Sequence, residues 1–75
     1  MLNRILNIMA VVFEVPVETL NEDISMENFE AWDSLGHITL MISIEEEFNI
    51  TVDEDEIPNL TSVKLLVEYL EKVYV

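Results

Sequence analysis

Asp33, Ser34 and His37 are the residues of this chain whose types and spacing suit chemistry. Ser34 and His37 stand three apart, so their side chains meet if the segment is helical. A serine, an imidazole and a carboxylate within reach of one another could be a nucleophile with its base. The supporting parts of such a site are absent from the sequence. There is no G-x-S-x-G elbow, no identifiable set of oxyanion donors, and no residue placed to orient His37 from behind. Asp33 is more simply a helix cap. A hydroxyl at a helix start has a second use, because the first turn carries unpaired N–H groups and the positive end of the helix dipole. A phosphate esterified to Ser34 would be held there. Ser34 is therefore a better site for a phosphodiester than for an unassisted nucleophile. His37 reads as a semi-buried polar residue near the helix start, with contact to such a phosphate as the alternative.

The elements that must position these residues follow from apolar spacing. Leu2, Ile5, Leu6, Met9, Val12 and Phe13 mark one face of a helix over residues 2–14, with Asn3 or an earlier residue as its cap and Pro16 as its stop. Residues 15–32 form a long polar connection in which Leu20, Ile24, Met26, Phe29 and Trp32 recur as anchors. Trp32 is expected in the core, packing back over the helix start. Asp33 and Ser34 open a second helix over 34–48. On its wheel Gly36, Thr39, Ser43, Glu46 and Glu47 share a polar wedge, while Leu35, Ile38, Leu40, Met41, Ile42, Ile44 and Phe48 fill most of the rest. Glu45 falls on the apolar side. That apolar arc is wider than one packing face requires, so the surplus must line a cavity, with Met41 the best candidate, or meet a partner. A second connection, 49–60, holds a short helical turn near 53–57. A last helix over 62–73, capped by Thr61 or Ser62, repeats the spacing through Val63, Leu66, Val67, Leu70, Val73 and Tyr74. The sequence predicts an all-α, four-helix bundle of three main helices and a short third one, in a single domain over 1–75.

Composition narrows the function classes. A chain of 75 residues has little room for both a core and an enclosed active site, so an enzyme is disfavoured. There is no cysteine, hence no disulfide and no thiolate metal site. The net charge is −13, and no Lys or Arg lies between Glu14 and Glu56. Such a surface repels nucleic acid and anionic membrane and attracts basic protein patches. The acidic run Asp53–Glu56 lacks the spacing and glycine of an EF-hand, so no defined metal site is expected there. Arg4 and the apolar run after it have the start of a secretory leader, but Asn7 interrupts the run and no small-residue cleavage site follows. The run is read as a core helix, no stretch is long enough for a membrane span, and the protein is expected to be cytoplasmic and monomeric.

The segment Trp32–Phe48, WDSLGHITLMISIEEEF, resembles the phosphopantetheine attachment segment of acyl carrier proteins, in which Asp-Ser-Leu opens the second helix and an acidic cluster followed by Phe closes it. FEVPVETLNEDISMENFEAW is similar to the family's first loop, ITVDEDEI to the approach to its short third helix, and LTSVKLLVEYL to its fourth helix. The resemblance implies a carrier that catalyses nothing itself. Ser34 would bear a covalent 4'-phosphopantetheine delivered from coenzyme A by a phosphopantetheinyl transferase with Mg²⁺, beside Asp33 and Leu35. Asp33, Leu35, Ile38 and Ile42 would meet partners, and Glu45, Glu46, Glu47 and Glu56 would face their Arg and Lys residues. Those partners would be acyl or aminoacyl ligases, acyltransferases or ketosynthases with basic docking patches. The acyl chain could fold between the helices.

Gly36 and Thr39 stand where carriers of primary fatty acid synthesis usually have further acids. Trp-Asp-Ser-Leu-Gly-His is more similar to specialised stand-alone carriers of polyketide, modified-lipid or surface-polysaccharide pathways. A D-alanyl or other aminoacyl carrier is the nearest alternative, and a non-carrier acidic interaction protein, such as a nucleic-acid mimic, is the alternative from another class.

Overall fold

The computed structural model describes residues 1–74. It contains three α-helices and, among those residues, no strand: α1 (Leu2–Phe13), α2 (Ser34–Phe48) and α3 (Val63–Val73). Each begins and ends where local chemistry dictates. α1 starts at Met1 without a side-chain cap, and Asn3 lies inside it. It stops one residue earlier than the spacing predicts, because Glu14 turns left-handed at φ 56° and Val15 N–H donates back to Ala10 O at 3.1 Å. α2 is capped by Asp33, whose carboxylate accepts from Gly36 N–H, and ends at a left-handed Asn49, φ 54°. α3 is capped by Ser62, which accepts from Leu65 N–H at 3.1 Å.

The expected short helical turn near 53–57 is present as one turn and is not extended into a regular α-helix. Asp53 O accepts from both Glu56 N–H and Ile57 N–H, forming a turn, and a single 3-10 turn follows at Ile57–Asn59. Pro58 has no N–H to donate, which denies this segment a continuous α ladder. A comparable 3-10 turn, Val17–Thr19, follows Pro16 in the first connection.

α1 and α2 run antiparallel. Phe13, at the end of α1, packs beside Trp32 and Gly36 at the start of α2, while Arg4, near the start of α1, reaches Glu47 at its end. The core gathers Ile5 and Met9 from α1, Leu40, Met41, Ile44 and Phe48 from α2, and Val63, Leu66 and Leu70 from α3. Each such side chain, fully buried, contributes about 1.5–3 kcal/mol. Met41 is packed in this core and 2% exposed, so it lines no open cavity.

The first connection is held down rather than loose. Leu20 and Ile24 are buried. Asn21 Oδ1 accepts from Asp23 N–H, and Asn28 accepts from Ser25 N–H while donating to Asp23 O. Met26 N–H donates to Thr61 O and Val63 N–H donates to Ile24 O, both at 3.0 Å, tying this connection to the start of α3. The long segment thus arrives at Asp33 with its path fixed by both apolar anchors and backbone bonds.

Candidate functional site

Ser34 is the first residue of α2, exposed, and directly follows the capping residue. Asp33 Oδ1 takes the Gly36 N–H at 2.8 Å, and Asp33 O takes the His37 N–H at 2.8 Å. The amides of Ser34 and Leu35 have no intrahelical acceptor, as in any first turn. An anionic group on the Ser34 oxygen would lie beside these donors and the positive end of a 15-residue helix. The serine that the sequence singles out is therefore accessible from outside and electrostatically suited to a phosphate ester.

His37 takes no part in that chemistry. It is 6% exposed, and both ring nitrogens are engaged: Trp32 Nε1–H donates to Nδ1 at 3.0 Å, and Nε2 lies 2.7 Å from Ile57 O. The indole can only donate and the carbonyl can only accept, so the ring is neutral with its proton on Nε2. With both nitrogens committed, His37 has no lone pair left to act as a base for Ser34 and no free N–H for a phosphate. The semi-buried reading is correct in kind, and the phosphate contact is not supported. Trp32 is 1% exposed and stacks on the imidazole with ring centroids 6.0 Å apart. Phe13 and Phe29 continue this aromatic group.

The surplus apolar arc of α2 resolves into an outward face. Leu35, Ile38 and Ile42 are 77%, 54% and 51% exposed, a row at i, i+3 and i+7 that starts next to Ser34. The surplus therefore faces outward on the surface. Glu45, which broke the apolar side, is half-buried, and its Oε2 accepts from Val52 N–H at 2.7 Å. Its placement is thus explained by a backbone donor in the second connection, a role its sequence position did not reveal. Glu46 and Glu47 are exposed beyond it, and Glu47 pairs with Arg4 at 3.3 Å. Glu56 is half-buried and immediately precedes Ile57, whose carbonyl holds His37. Asp33, Leu35, Ile38, Ile42 and Glu46 stand exposed on or beside α2, and Glu56 lies on the connection that His37 ties to it.

The family model described as "Phosphopantetheine attachment site" matches residues 3–70. The chain belongs to the acyl carrier protein family. It is 33% identical over 70 residues to Acyl carrier protein 3 of Ralstonia nicotianae, covering 93% of this chain and 80% of that one. It is 40% identical over 52 residues to an acyl carrier protein of Buchnera aphidicola, covering 69% of this chain and 65% of the other. An acyl carrier protein of Porphyromonas gingivalis is 25% identical over 69 residues, covering 92% and 88%. The family's prosthetic group is a covalently bound 4'-phosphopantetheine. The accessible hydroxyl on an open helix start fits such a group. When bound, the arm supplies a thiol for thioester formation, which accounts for a carrier with no cysteine of its own.

Proposed function

We propose that Ser34 is the residue bearing the 4'-phosphopantetheine, and that this acyl carrier protein shuttles thioester-linked acyl groups between enzymes without catalysing a step itself. The observation that supports this most is the exposure of Ser34 at the first position of α2, with the apolar row Leu35, Ile38 and Ile42 beginning beside it. In this reading the chain's residues divide the labour. Asp33 fixes the helix start and flanks the hydroxyl for a phosphopantetheinyl transferase. The apolar row and the carboxylates of Glu45, Glu46, Glu47 and Glu56 dock partners with basic patches, with Glu46 the least committed of the four within the fold. Glu45 has one oxygen already spent on Val52 N–H, so its share of docking falls to the other.

The partners proposed are acyl or aminoacyl ligases, acyltransferases and ketosynthases, met in the cytoplasm by a monomeric single-domain carrier. Gly36 and Thr39 beside the serine support service to a specialised lipid, polyketide or polysaccharide pathway. Incubation with coenzyme A, Mg²⁺ and a broad-specificity transferase should add one phosphopantetheine by intact mass, and Ser34→Ala should abolish the gain. A wild-type mass that never moves, or an S34A protein that still gains the group, refutes the assignment.

A further inference from the structure

The Trp32–His37–Ile57 chain joins three segments through one ring: the residue before the α2 cap, the first turn of α2, and the second connection next to Glu56. Its two bonds coexist in a single form of the imidazole, neutral with the proton on Nε2. A second proton, on Nδ1, would set N–H against the Trp32 N–H at a 3.0 Å separation and break that bond. With the ring 6% exposed, water cannot take the place of the lost partner unless the segments part. Along the chain, Glu30 and Asp33 flank Trp32, Glu56 precedes Ile57, and Glu14 follows Phe13, whose ring packs against Trp32. Asp33 is committed to Gly36 N–H, and none of the four bonds to the imidazole. No basic side chain stands among them.

We infer that His37 is the positioning residue of the Ser34 site: as neutral imidazole it latches the start of α2 to Trp32 and to the Ile57–Asn59 turn, and proton uptake at Nδ1 opens the latch. The consequence for partners rests on the Ser34 reading, since an enzyme acting on Ser34 meets the helix start and the Glu56 turn as one surface only while the latch is closed. The sign is fixed by the geometry. The latch is complete while the imidazole is neutral, and it is lost when the ring takes a second proton.

Trp32 is the one tryptophan and His37 the one histidine of the chain, so emission and imidazole NMR each report on a single residue. The full chain should be titrated towards acid until NMR shows the His37 ring taking up its second proton. The expected result is a change in Trp32 emission that follows the NMR titration of the His37 ring while far-UV helicity is retained. His37→Gln can still donate to Ile57 O but takes up no proton there, so its emission should stay flat. Wild-type emission that ignores the ring titration, or an equal change in H37Q, overturns the latch.

A second arm reads position. The KM of a broad transferase for the wild-type carrier, divided by its KM for H37Q, should rise about fivefold across the titration, the factor equivalent to one net hydrogen bond, because only latched molecules present the surface. The kcat ratio should not move. Taking the ratio cancels the pH dependence of the transferase, and a constant KM ratio overturns the positioning role. Should H37Q fail to fold, His37→Asn replaces it, with an amide oxygen in reach of the Trp32 donor. If no protein gains mass at any pH while the wild-type emission titrates, the latch stands and the Ser34 reading falls.

Discussion

Gly36→Ala should destabilise this carrier, against the general preference of helices for alanine. Gly36 is the chain's single glycine and lies in the first turn of α2 with ordinary helical φ. On propensity alone, alanine in a helix interior gains about 1 kcal/mol over glycine. The surroundings reverse this. A Cβ at position 36 would stand 2.7 Å from Ala31 O, 2.9 Å from Phe13 Cε1 and 3.3 Å from Asp33 Oδ1. The first is backbone and cannot rotate away, so the helix start must shift away from Ala31 and from Phe13 at the end of α1. Overpacking of this kind costs about 1–3 kcal/mol. That shift also strains the Asp33 cap, itself worth about 1 kcal/mol. Net of the propensity gain, the expected loss is about 1–3 kcal/mol. For a chain of this size that lowers Tm by about 4–8 °C per kcal/mol. Urea denaturation followed by far-UV circular dichroism measures it directly. A G36A protein as stable as wild type, or more so, would refute the close approach of α1 to the α2 start.

Other expectations follow from contacts already described. Glu45→Ala leaves the N–H of the buried Val52 without its acceptor, which should cost about 1–3 kcal/mol in denaturant titrations, while Glu45→Gln recovers most of it. Replacing Leu35 and Ile42 together by alanine should leave stability within about 0.5 kcal/mol yet weaken binding to a transferase at least about tenfold, measured by calorimetry, as expected for anchor residues. Unchanged affinity would remove this face from the docking surface. Raising the salt concentration should raise Tm, because screening relieves the self-repulsion of a chain with net charge −13; a Tm that falls with salt would contradict that balance.

What could be seen in the sequence was whatever depends on neighbours along the chain. The i, i+3, i+4 recurrence of Leu2 through Phe13 and of Val63 through Val73 located α1 and α3, and the Asp33-Ser34 pair located the start of α2 to the residue. What stayed hidden depends on residues far apart in sequence. His37 looks like an ordinary polar residue until Ile57, twenty positions on, supplies its carbonyl. Glu45 looks misplaced on an apolar side until Val52 N–H arrives to meet it. Gly36 read as a member of a polar wedge, although a lone glycine inside a helix was itself the signal for a close approach. The short helical turn expected near 53–57 forms, and the 3-10 turn at Ile57–Asn59, which carries Pro58, extends it.

The guanidinium of Arg4 lies 4.2 Å from the Phe48 ring centroid and 5.3 Å from that of Tyr74, with Glu47 alongside, at the far end of α2 from Ser34. Lys64 borders a groove with Leu2 near the same end of α1, and Lys72 sits in the last turn of α3, two residues before Tyr74. Arg4 thus sits about 20 Å along α2 from the serine. One guanidinium holds the start of α1, the end of α2 and the residue after α3 together there.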